Sequence, residues 1–158
     1  MEKTTVRSAA REISYTAMFV AIIAVCAWIA IPLPSNISIT LQTMGVCLAA
    51  GFLGWKRGLI AVAVYILLGL CGVPVFQGFT AGAAKLGSVT GGYIVGFLFT
   101  AAAVGLAADY IKVKSGWLRA AVLVAAMVVG VALCYLFGTI WFIYVYNAGA
   151  DTTVTFAA

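Results

Sequence analysis

No histidine occurs anywhere in the chain, and only four residues are acidic. Without imidazole there is no usual general base and no nitrogen ligand of the kind most zinc sites rely on. The four carboxylates, Glu2, Glu12, Asp109 and Asp151, all lie outside the long apolar runs. No acidic residue within the membrane therefore offers a proton relay, which argues against a self-powered, proton-coupled carrier. A phosphate-binding loop is missing too, since Gly82-Ala-Ala-Lys85 lacks the spacing and flanks of one. Charge of either sign is scarce at 8% of residues, against roughly 25% in soluble domains. A water-soluble globule is excluded, and an enzyme has little to work with. The four cysteines each sit inside an apolar run without CxxC spacing, so they read as small buried hydrophobes with no metal or redox cofactor implied.

What the chain has is hydrophobic length: 65% of its residues are hydrophobic. The first span, Ile13–Ile31, is about 28 Å of helix, enough to cross the hydrocarbon core. It is too long for a signal-peptide core and no A-x-A site ends it. Pro32-Leu-Pro34 stops it, and a charge-free loop leads to about Ile39. A second span over Thr40–Gly54 and a third over Leu59–Gly72 flank a turn at Trp55-Lys56-Arg57-Gly58. A fourth runs over about Val89–Ala108, and a fifth over about Ala120–Tyr146 with an aromatic-rich end. Val154–Ala158 resembles the start of a sixth. The expected fold is an all-α integral membrane bundle forming one transmembrane domain over residues 1–158.

Charge sets the expected orientation. With the N-terminus in the cytoplasm, eight of the nine basic residues (Lys3, Arg7, Arg11, Lys56, Arg57, Lys112, Lys114 and Arg119) fall on the inner side, and Lys85 alone falls outside. This obeys the positive-inside rule at every loop and accounts for the net charge of +5 without nucleic acid as a partner. A multi-pass protein of the cell membrane, with the bilayer as its solvent, is the reading.

The exceptional lysine lies in the exceptional stretch. Gly72–Tyr93 holds six glycines, one proline, Phe76, Phe79 and Lys85 between two apolar runs. Glycine lets backbone approach a small ligand closely, and aromatic rings can pack against one. Thr40, Gln42, Phe76, Lys85 and Tyr93 are expected at the outer face, where a mostly apolar pocket with a few polar groups suits a small amphipathic ligand. A lone lysine there suits a carboxylate or phosphate. In the first span Ala17 and Ala21 form a small-xxx-small pair, extended by Ala24, at which another helix can approach closely.

Four motifs occur together in order: Thr40-Leu-Gln-Thr43, Lys56-Arg-Gly58, Gly72-Val-Pro-Val-Phe76 and Thr90-Gly-Gly-Tyr93. In these the chain resembles the BioY family, the biotin-binding S components of energy-coupling factor (ECF) transporters. The resemblance runs from about Ile13 to the end of the chain. It implies six helices, capture of biotin from outside, no enzymatic activity, and a transmembrane coupling subunit with two cytoplasmic ATPases as partners. It also implies an AxxxA docking face, matched by Ala17 and Ala21, and places Gly78 where some relatives carry a ligand-bonding side chain. Relatives usually continue through a sixth helix with an aspartate and, three residues on, a lysine facing the ligand. The sequence stops at Ala158, before that motif, so a chain truncated within the sixth helix is expected. An S component for another vitamin, or a structural membrane subunit without a small-molecule ligand, are the alternative readings.

Overall fold

A computed structural model describes residues 2–32, 38–88, 90–111 and 116–149. It is a helical bundle: α1 spans Glu2–Trp28, α2 Gln42–Leu70, a short α3 Ala83–Gly87, α4 Gly91–Tyr110 and α5 Gly116–Gly149. Between α1 and α2 two three-residue strands, β1 (Ala30–Pro32) and β2 (Ser38–Thr40), pair antiparallel with Ala30 opposite Thr40. A single 3-10 turn, Gln77–Phe79, precedes α3. Among the described residues four helices are long and apolar enough to cross a membrane. The chain is an all-α, multi-pass membrane protein. The charge-free loop at 33–37, Val89, Lys112, Lys114 and the apolar run at the chain's end lie outside the described residues.

The second of these helices is folded in half. At Gly54 the backbone leaves the helix (φ 77°, ψ −179°), a conformation that a residue with a side chain strongly disfavours. The Gln42 amide then reaches the Tyr65 hydroxyl at 2.9 Å, whereas 23 residues of straight helix would separate them by about 35 Å. Residues 42–53 and 55–70 therefore run back to back, and a Cβ on Gly58 would press on the Ala50 backbone at 2.8 Å. These two halves are the expected second and third spans, with one correction. Trp55–Arg57 is not a turn but the opening of the returning helix, because the reversal is confined to Gly54. The Asp109 carboxylate accepts the Trp55 N–H at 3.0 Å, which caps that helix start in place of a longer loop.

Packing relies on small residues at the crossings. On α4, Gly92, Gly96 and Thr100 recur every four residues, and on α5 so do Gly130, Cys134 and Gly138. A Cβ at Gly96 would lie 2.7 Å from Cys134 Sγ, one at Gly130 3.1 Å from Thr100 Cα, and Gly138 receives the Tyr93 ring. Thr100 donates to the Gly130 carbonyl at 2.9 Å, tying the two backbones together. Close approach of this kind replaces the hydrophobic drive that helices lack in lipid. α4 is the central element, held between the α2 hairpin and α5, with Val104 and Ala101 fully buried.

The two ends of the bundle differ. At one, Asp109 holds the hairpin bend, Arg57 pairs with Glu12 of α1, and Lys56 lies over the Trp55 ring. At the other, the strand pair, the glycine-rich segment and the aromatic end of α5 gather.

The α4–α5 crossing yields a prediction. Gly96→Ala should destabilise the protein by about 1–3 kcal/mol, since its methyl collides with Cys134. Gly51→Ala, whose methyl would meet only Val104 at 4.0 Å, should be neutral or stabilising by up to about 1 kcal/mol through helix propensity. Unfolding in mixed micelles measures both; equal losses would show that the crossing is not close-packed.

Candidate ligand and docking sites

The glycine-rich segment is anchored from beneath. Tyr65, fully buried on the returning half of α2, accepts from the Gln42 amide and donates its hydroxyl proton to the Val75 carbonyl at 3.0 Å. One phenol thus connects the start of α2, its end and the start of the loop. Phe76 follows, 1% exposed, with its ring edge-on to Tyr65 at 5.6 Å. Gly69 makes room for that ring, because a Cβ there would overlap it.

Above this floor the chain turns tightly. Gly78 (φ 69°) and Phe79 (φ 58°) are both left-handed. They close a small loop in which the Phe76 N–H donates to the Thr80 carbonyl at 3.1 Å and the Thr80 hydroxyl to the Gln77 carbonyl at 2.8 Å. Gly82 returns to the helix end, its N–H donating to the Gly69 carbonyl at 2.7 Å. α3 then carries Lys85, partly exposed. The segment rejoins the bundle through Ser88, whose carbonyl accepts the Trp141 indole N–H at 3.2 Å.

The expected site residues fall at this one end but in two layers. Thr40 ends β2, Gly78 and Lys85 sit on the loop and α3, and Tyr93 lies on the first turn of α4. Tyr93 stands edge-on to Tyr135 of α5 at 5.8 Å. Gln42, 4% exposed, and Phe76 lie lower, with the Gln42 amide nitrogen engaged by Tyr65. Sequence reasoning missed Trp28 and Tyr65, and it named Phe79 only as one of two rings in the stretch. A tyrosine inside an apolar run was a signal, since a buried hydroxyl demands a partner. Trp28, too, follows Ala17, Ala21 and Ala24 on the same helical stripe.

That stripe lines a groove of about 860 Å³ between α1 and the returning half of α2. Exposed Ala17 and Ala21 form its floor, with Ile60 and Val64 opposite. The Glu12–Arg57 pair borders one end, and Trp28 with residues 73–75 the other.

Residues 1–158 match the model of the BioY family. The chain belongs to the BioY family. Similar relatives include a biotin transporter BioY of Thermotoga maritima, 41% identical over 128 residues, covering 81% of this chain and 72% of that protein. A probable biotin transporter BioY of Pyrococcus horikoshii is 35% identical over 132 residues, 84% of this chain and 74% of that one. Among solved structures, the S-component for biotin from an ECF-type ABC transporter superposes with a TM-score of 0.76 at 30% identity. That match covers 89% of this BioY-family chain and 76% of the solved one.

The relay beneath the loop gives a second prediction. Tyr65→Phe leaves the Gln42 amide and the Val75 carbonyl without the phenol and should lower stability by about 1–3 kcal/mol. Chemical unfolding in micelles measures it, and an unchanged midpoint would mean that water or lipid replaces the hydroxyl.

Proposed function

We propose that this protein is the membrane-embedded substrate-capture subunit of a biotin importer. The observation that carries the reading is the match of the whole chain to the BioY family, whose members reported above are named as a biotin transporter and a probable biotin transporter. In this reading the chain forms one substrate-binding domain in the cell membrane with its N-terminus in the cytoplasm. Arg11, Lys56 and Arg57 lie toward the hairpin end and Lys85 at the loop end, a division the positive-inside rule favours for this orientation.

Biotin combines an apolar bicyclic body, a polar ureido edge and a valerate chain ending in a carboxylate. Thr40, Gly78, Lys85 and Tyr93 frame the proposed pocket, and Gln42 and Phe76 form its floor. The body packs over the aromatic rings, where burial contributes roughly 25 cal/mol per Å². Lys85 meets the carboxylate; no other cation stands at this end among the described residues. A charge-assisted hydrogen bond of this kind is worth about 1.5–3 kcal/mol.

Energy comes from partners: a coupling subunit in the membrane and two cytoplasmic ATPases of an ECF module. The alanine-floored groove on α1 is the proposed seat of the coupling subunit, since small residues admit another helix at close range.

Two outcomes are expected. Lys85→Ala should weaken biotin binding by about 10- to 150-fold, while an uncharged biotin amide should bind both proteins alike. Equal losses for acid and amide in a calorimetric double cycle would remove Lys85 as the carboxylate's partner. Ala21→Trp should abolish uptake in the assembled complex yet leave biotin binding within about twofold, because an indole holds the helices apart. Normal uptake would make the stripe ordinary lipid-facing surface.

A further inference from the structure

Trp28 does more than end α1. Its indole N–H donates to the Pro74 carbonyl at 3.1 Å, 46 residues away. Its ring stacks on Phe79 with centroids 4.8 Å apart and planes at 26°. One side chain thus holds the glycine-rich loop at two points, its entry at Pro74 and its tip at Phe79.

The tip is the part that needs holding. Phe79 is the one residue other than glycine with positive φ among the described residues (φ 58°), and a bulky side chain disfavours that conformation. Strained residues persist only when their surroundings over-determine them. Here the core does not supply that support, because Phe79 is 64% exposed. The support comes from the Trp28 ring, from the Phe76–Thr80 pairing at the neck of the turn, and from the Thr80 hydroxyl. An ordinary interfacial aromatic would turn its polar edge to headgroups and water. Trp28 instead commits its N–H to the loop backbone.

We propose that Trp28 and Phe79 form an aromatic clasp that holds the loop at residues 74–82 in the shape that retains the ligand, with Trp28 as its positioning residue. The proposal deepens the reading above, since it rests on the ligand lying at this end of the bundle. Opening the clasp frees the tip to leave its left-handed conformation and loosens the backbone that carries Gly78 and leads to Lys85. The effect falls on ligand release, because encounter does not require the loop to be closed.

The test uses the full chain in lipid nanodiscs, as wild type, Trp28→Ala, Trp28→Phe, Phe79→Gly and the Trp28→Ala/Phe79→Gly double variant. Without ligand, Trp28→Ala should raise amide exchange at Phe76 and Gly82 by about tenfold and leave residues 96–104 of α4 unchanged. Trp28→Phe, which keeps a ring but loses the N–H, should fall between. With biotin, the off-rate should rise about tenfold in Trp28→Ala and in Phe79→Gly, with the on-rate within about twofold. The double variant should be no worse than the stronger single one, as expected for two halves of one contact. Unchanged exchange at Phe76 and Gly82, exchange raised equally across the bundle, or additive losses in the double variant would each overturn the clasp. A wild type that binds no biotin would overturn the functional reading, while the ligand-free exchange still decides whether the loop is held by Trp28.

Discussion

The bundle depends on a reversal at one residue. Each helix end carries a cost, because backbone groups there lack intrahelical partners. Gly54 limits that cost by turning the chain within a single left-handed residue, and Asp109 of α4 takes up the first N–H of the returning helix. A side chain at Gly54 would run into that carboxylate, so the bend and its cap occupy the same few cubic ångströms. The floor of the loop at the opposite end follows from the reversal. It sets Tyr65 beside Gln42 and brings Gly69 under Phe76.

The remaining contacts share one logic. Between α4 and α5, and within the α2 hairpin, backbones approach where glycine or alanine removes the side chain, and a larger neighbour fills what remains. Among the described residues buried polar side chains are paired, as in the Gln42–Tyr65–Val75 relay and the Thr100 bond to Gly130. In a medium of low dielectric such pairings are strong when made and costly when broken. The relay therefore fixes the floor of the loop firmly, while the loop's upper part is held by Trp28 at the surface. The same tryptophan borders the alanine-lined groove, so one side chain touches both the proposed ligand end and the proposed docking face.

Much of the candidate site, as proposed above, was legible in the residues. Lys85 stood out by charge counting alone, and the density of glycine between Gly72 and Tyr93 marked a segment that had to depart from helix. The alanine stripe was readable from its spacing, and it lines an exposed groove. Depth was not readable. Phe76 and Phe79 are three residues apart with similar local surroundings, yet one is 1% exposed and the other 64%. What separates them is Gly69, which opens a hole for the first ring, and Trp28, which offers a flat surface to the second.

The sequence by itself determined that the chain lives in a membrane and crosses it more than once as apolar helices. Those properties are sums over residue types and run lengths, and a bilayer reads them without reference to tertiary contacts. The tertiary structure alone decided how tightly the chain reverses after the second crossing. It made Trp55-Lys56-Arg57 a helix start, because a carboxylate 54 residues away accepts the Trp55 N–H. It also decided which aromatic rings face the core and which close the loop. Such outcomes depend on partners brought together by folding, and no local pattern encodes the position of a residue that arrives from another helix.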